Sequence, residues 1–167
     1  MTPIASNFPA TLVTPTTAVT VAHLGDKDGA LLTWGVTPTK VSWRKIGDAS
    51  DDLAVLTLDR PIEAAILPIG TVKVGDALEI VRFNAPPIAA QCIGLGTKNA
   101  RLRAASDIGP DSGSAIVSNG KLVGVLNSRS ANLREGNFAR LSEYPELQTR
   151  GRRSQSQVRR IAIESRA

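Results

Sequence analysis

The chain has 167 residues, 42% of them hydrophobic and 21% charged, which suits one medium domain with an ordinary buried core and excludes disorder, collagen or coiled coil as the main body. No run approaches the roughly 20 consecutive apolar residues a membrane-crossing helix needs. Lys plus Arg is 20 against 15 Asp plus Glu, a net +5, but Thr149–Ala167 alone holds six Arg against Glu164, so residues 1–148 carry fourteen charges of each sign and give no sign of a nucleic-acid-binding body.

Met1-Thr2-Pro3 opens the chain without a basic segment leading into an apolar one, so no cleavable export signal is expected; the expected location is the cytoplasm, or a virion or host cytoplasm if the source is viral. Short runs rich in Val, Ile, Leu and Thr follow, punctuated by Gly, Asp, Asn and Pro, with no long helical period. The predicted strands are Ala10–Thr14, Ala18–Ala22, Ala30–Trp34, Lys40–Ile46, Leu53–Leu58, Ala77–Phe83, Gln91–Gly96, Ala115–Val117 and Leu122–Leu126. Gly25-Asp26, Gly47-Asp48, Gly75-Asp76 and Asn119-Gly120 mark turns, the last a tight hairpin. Trp34 and Trp43 read as core or barrel-edge packing, and the single cysteine, Cys92, as buried and inert; it excludes an intrachain disulfide.

Residues 61–74, with Pro61, Pro68 and Gly70, break the strand pattern and read as a connector between an N-terminal unit (1–60) and a C-terminal one (75–148), two small barrels or sheets packed together. Leu141–Leu147 is expected to be a short helix with Ser142 as its cap and Pro145 in its first turn. The remaining 149–167 is a basic tail in which Arg150, Arg152, Arg153, Arg159 and Arg160 offer electrostatic contact with nucleic acid or an acidic partner; Val158, Ile161 and Ala162 have helical spacing.

Three segments carry chemistry. Thr20-Val21-Ala22-His23 places the only histidine at a strand end. Asp51-Asp52-Leu53-Ala54-Val55-Leu56 brings an acidic pair to the start of an apolar strand. Gly109-Pro110-Asp111-Ser112-Gly113-Ser114-Ala115 holds a serine in a turn of small residues before another buried strand. Serine hydrolysis of an acyl bond needs a base for the hydroxyl proton, a carboxylate to orient that base, and amide donors for the oxyanion.

In order and surroundings these segments resemble the Thr-Ala-Ala-His, Asp-Ile-Ala-Leu-Leu and Gly-Asp-Ser-Gly motifs of chymotrypsin-like (trypsin-fold) serine proteases. Ala10–Pro15, Gly120–Leu126 and Gly136–Tyr144 resemble further strands of that family, so the likeness spans most of residues 8–148. The resemblance implies an all-β fold of two packed antiparallel six-stranded-type barrels, the first incomplete, with a short C-terminal helix. It implies His23 as base, Asp52 as orienting acid, with Asp51 a surface neighbour, and Ser112 as nucleophile of an endopeptidase without metal or cofactor. The short separations, 29 and 60 residues, suit the compact proteases of viruses and phages. The implied substrate pocket has Ser106 and Asp107 at its base, Asn127, Ser128 and Arg129 along its wall and Gly136 opposite; Arg129 is expected to neutralise Asp107 or to select an acidic side chain.

Two departures matter. The resemblance places the oxyanion hole at Gly109, Pro110 and Ser112, yet Pro110 stands where the family has Gly, and proline has no N–H to give. Asn99 or Asn127 are candidate side-chain substitutes. The family's Asp before the nucleophile pairs with a new amino terminus; here it is Asp111, no activation sequence precedes His23, and another partner is needed. The alternative reading is a catalytically impaired protease-like fold acting as a structural or binding module, in a virion for instance, with the Arg tail as its contact.

Overall fold

The computed structural model describes residues 3–5 and 7–147; the Arg-rich segment 149–167 lies outside them. Strands β1 (Thr11–Thr14), β2 (Thr17–Thr20), β3 (Leu31–Trp34), β4 (Thr37–Ile46) and β5 (Leu53–Leu58) form an antiparallel sheet in the order β1-β2-β5-β4-β3. Isolated bridges from Ile4 to Thr11 on β1 and from Ala5 to Trp34 on β3 join its two edges. Two residues thus stand in for a sixth strand, and this sheet is the incomplete barrel that the resemblance implied. Strands β6 (Ala77–Val81), β7 (Ile88–Leu95), β8 (Asn99–Ala104), β9 (Ala115–Ser118), β10 (Lys121–Arg129) and β11 (Glu135–Arg140) close into a full barrel in the order β10-β11-β8-β7-β6-β9.

Period-two alternation explains how the two bodies fuse. Along β5, Leu56 and Leu58 point into the first sheet's own core beside Leu12, Leu32 and Trp34. Leu53 and Val55 point the other way, into a core shared with Val81, Ala115, Leu122, Val125, Leu141 and Tyr144 of the second barrel. On β10, Leu122 and Val125 serve this shared core while Val123 and Leu126 fill the barrel interior with Phe138, Ile80, Leu102 and Cys92. A register shift between Leu122 and Gly124 allows that exchange of faces. Strands buried on both faces read as the continuous apolar runs seen in the sequence.

Strand β8 was not expected. Its buried Ala100, Leu102 and Ala104 alternate with exposed Arg101 and Arg103, but alanine and arginine lack the β-branched signature of a strand. The expected helix at 141 is also different. Leu141–Glu143 is a single 3-10 turn whose N-cap residue is Arg140, not Ser142, which lies inside the turn. Tyr144 adopts φ −119°, ψ 84°, as the ring of Pro145 excludes the α region for the residue before it, and the helical residues 145–147 start afresh with the proline in their first position. Among the described residues no helix is long and apolar enough to cross a membrane.

Candidate active site

His23 follows β2 in a 3-10 turn, Ala22–Leu24. Three bonds fasten that turn to Asp52: the Ala22 N–H donates to the Asp52 carbonyl (3.2 Å), the His23 N–H donates to Oδ1 (2.7 Å), and the imidazole Nδ1 lies 2.6 Å from Oδ2. With its Nδ1–H on the carboxylate, the neutral ring presents Nε2 as an acceptor, the tautomer a general base requires. The His23 side chain is 46% exposed and that of Asp52 24%, so the ring is open to solvent while the carboxylate that holds it is partly shielded.

Asp52 sits at φ 52°, ψ 44°, left-handed backbone that Asp adopts more readily than most non-glycine residues. It caps the 3-10 turn Ala49–Asp51, closed by reciprocal bonds between the Asp48 and Asp51 side chains and backbones. Asp51 is not the surface neighbour expected from the sequence: it is 5% exposed, and its carboxylate takes the Asp48 N–H and, at 3.3 Å, the Lys98 ammonium. The pair Asp51-Asp52 divides its labour, one side chain going inward and the other to the imidazole.

Ser112 comes from the second barrel. Its loop docks on the first sheet through Gly113, whose carbonyl accepts from the Thr11 hydroxyl (3.1 Å). At φ 97°, a Cβ on Gly113 would stand 2.1 Å from the Pro9 carbonyl and 3.0 Å from Thr20 Oγ1, so only glycine allows this approach, three residues before His23. The Ser112 hydroxyl donates to the Asn127 carbonyl (3.3 Å), and among the described residues no hydrogen bond links it to His23. A hydroxyl has one proton to give, so attack requires rotation of this side chain from Asn127 toward the imidazole.

Pro110 offers no donor. The Gly109 N–H goes to Asp111 Oδ2 (3.0 Å), the Asp111 N–H to the Gly109 carbonyl (2.8 Å), the Gly113 N–H to Leu126 and the Ser114 N–H to Asp111. Among the described residues the Ser112 amide alone of residues 109–114 keeps an N–H outside these bonds. The Asn127 amide does not serve there either; it donates to the Asn99 side-chain oxygen (3.3 Å). Asp111 has an internal counter-ion, Arg82, whose Nη1 lies 4.0 Å from Oδ2 with both side chains largely shielded.

Around the expected pocket, Ser106 and Asp107 are exposed, and Asp107 is neutralised by Arg134 (2.7 Å) rather than by Arg129, which donates to the Ile108 carbonyl (2.6 Å). Asn127, Ser128 and Asn137 form a hydrogen-bonded row. Gly136 lies opposite Arg129 and admits the close approach of Ser128, Leu126 and Ile108, since a Cβ there would stand 2.9 Å from the Ser128 carbonyl. Burial pushes the Cys92 thiol up and away from reactivity.

The backbone superposes on kallikrein-related peptidase 10 with a TM-score of 0.72 over 91% of this chain and 95% of that one, at 17% identity. The chain has the chymotrypsin-like fold. Other solved structures with this fold include the active form of the Rv3671c protease from M. tuberculosis (TM-score 0.69, 18% identity, 84% of this chain and 71% of that one) and a Glu endopeptidase (0.65, 17%, 83% and 82%). No protein-family model and no curated protein matches the sequence. At such identities the chymotrypsin-like fold is shared while the residues are mostly replaced. Arg82 and Lys98 illustrate the point: both hold carboxylates beside the motifs, and neither belongs to any local pattern that marks it.

Proposed function

We propose that this protein is a serine endopeptidase that cleaves peptide bonds through an acyl-enzyme, with Ser112 as nucleophile, His23 as general base and acid, and Asp52 as its orienting acid. The observation that carries the reading is the double contact of Asp52 with the His23 backbone and ring, which sets the imidazole's tautomer beside the loop that brings Ser112 across from the other barrel. In the reaction the Ser112 hydroxyl turns from the Asn127 carbonyl, gives its proton to Nε2 and attacks the scissile carbonyl. The proton passes to the leaving amine, and water repeats the sequence to release the acid. With the Ser112 amide as sole main-chain donor, turnover is slow; loss of one such donor costs on the order of 2.7–4 kcal/mol.

A fluorophosphonate probe tests the reading. Wild type is labelled and Ser112→Ala is not. Absence of labelling across several probes and pH values would leave a protease-like binding module, which the missing Pro110 donor favours. For the Arg-rich segment 149–167, contact with an acidic partner or nucleic acid predicts binding that weakens steeply with salt and disappears on truncation after Gln148.

A further inference from the structure

Asp51 is the most shielded carboxylate beside the candidate catalytic groups. Its side chain is 7% exposed, and Gly47, at φ 70°, allows the carboxylate to fold against the turn: a Cβ there would stand 1.9 Å from Oδ2. A carboxylate so enclosed is costly to leave without a counter-charge. That charge arrives from the other barrel. Lys98 ends the β7–β8 turn, and its Nζ reaches Asp51 Oδ2 at 3.3 Å.

The turn that delivers the ammonium is itself clamped. The Arg140 N–H donates to the Lys98 carbonyl (2.8 Å), the Arg140 guanidinium donates to the carbonyls of Gly96 and Thr97, and the Gly96 N–H closes on the Asn99 carbonyl (2.7 Å). The ammonium also stands 5.6 Å from the centre of the buried Tyr144 ring, a cation–π contact that adds to the ion pair. Lys98, its side chain 38% exposed, is thus held both at its backbone and at its ammonium.

Asp51 and Asp52 are neighbours in the chain, and Asp52 is the left-handed cap of the Ala49–Asp51 turn that the Asp51 carboxylate closes. We propose, resting on the peptidase reading, that Lys98 is a positioning residue for the His23–Asp52 pair: by fixing the Asp51 carboxylate from the second barrel it locks the turn that presents Asp52 to the imidazole. It touches no reacting atom. Its effect falls on the geometry of the base and therefore on turnover rather than on substrate binding.

The single histidine makes the test direct, because any low-field imidazole proton in the spectrum belongs to His23. The full-length wild type, Lys98→Met and Lys98→Arg are compared by proton NMR for the Nδ1–H held by Asp52, and by fluorophosphonate labelling for the rate at saturation and the probe concentration at half-saturation. Expected is loss or broadening of the low-field proton in Lys98→Met, with a labelling rate at saturation about 10-fold to 100-fold lower and half-saturation unchanged, and recovery of both in Lys98→Arg. Should Lys98→Met not fold, Asp51→Asn reads the same link from the other side and should weaken the proton signal likewise. A wild-type proton signal in folded Lys98→Met or folded Asp51→Asn overturns the proposal. Failure of the peptidase reading looks different: the wild type remains unlabelled while the low-field proton persists and still responds to Lys98→Met.

Discussion

Pro110 takes the place of a hydrogen-bond donor where the proposed chemistry develops negative charge, and that one residue is expected to govern the rate. Replacing Pro110 by Gly restores an N–H next to the free amide of Ser112. Acylation by an ester substrate should then rise, by as much as about 10²–10³-fold if the new donor reaches full strength. An unchanged rate would mean that Gly109 and Asp111 hold the loop in a shape no new N–H can use. Tyr144, the only tyrosine, offers a second measurement at this scale. Burial, then the Asp51 and Asp48 carboxylates, push its phenol up to about 12 from an ordinary 10.0. The fold prefers the neutral phenol, so the stability this represents is intact below pH 10.0 and is lost as pH rises toward about 12. Tyrosinate absorbance should titrate near 12 in the folded protein; a midpoint near 10.0 would show an open, solvated ring.

At the scale of single elements, Asp59 clasps two strands. It follows β5, accepts the Thr39 hydroxyl (2.6 Å) and the Lys40 N–H (3.0 Å) from β4, and returns its own N–H to the Lys40 carbonyl. The Thr39 hydroxyl first, then the Lys40 N–H, hold its carboxyl below the ordinary 3.8. The ionised form is the one the fold binds, so this contribution is present above about pH 4 and lost as pH falls through the lowered value. Asp59→Asn should lower the urea midpoint at neutral pH, with the gap to wild type narrowing on acidification; a gap independent of pH would remove the clasp from the account. Elements were legible in the sequence where their chemistry was local. Leu53–Leu58 matches its expected bounds, and Asn119-Gly120 turns with both residues at positive φ, as a tight hairpin demands. β8 was hidden because its inward residues are mostly alanine, and the role of Asp51 because its partner Lys98 lies 47 residues away in the other barrel.

For the whole molecule, the shared core decides whether the halves act as one. Leu122, fully buried, packs with Val55 of the first sheet and Val125 of its own barrel, and Ile69 from the connector pairs with it. Both tryptophans, Trp34 and Trp43, lie in the first sheet, so their fluorescence reports that half alone. Leu122→Ala, in the other half, is expected to cost about 2–5 kcal/mol and to lower the urea midpoint seen by tryptophan and by circular dichroism equally. Separate midpoints would show two independent bodies. The approach of Asp52 to His23 was legible because both lie in short motifs, and the docking of the Ser112 loop was not, because Thr11, Thr20 and Pro9 meet Gly113 only once both bodies have formed.

The pairing of Arg82 with Asp111 reaches beyond stability. A carboxylate whose cation is built into the same barrel has nothing to wait for: the loop that carries Ser112 settles as the polypeptide folds, without a newly cut amine. On the proposed peptidase reading, no latent form is stored in that contact, and restraint is left to slow turnover, to what occupies the groove, or to how much of the protein a cell makes.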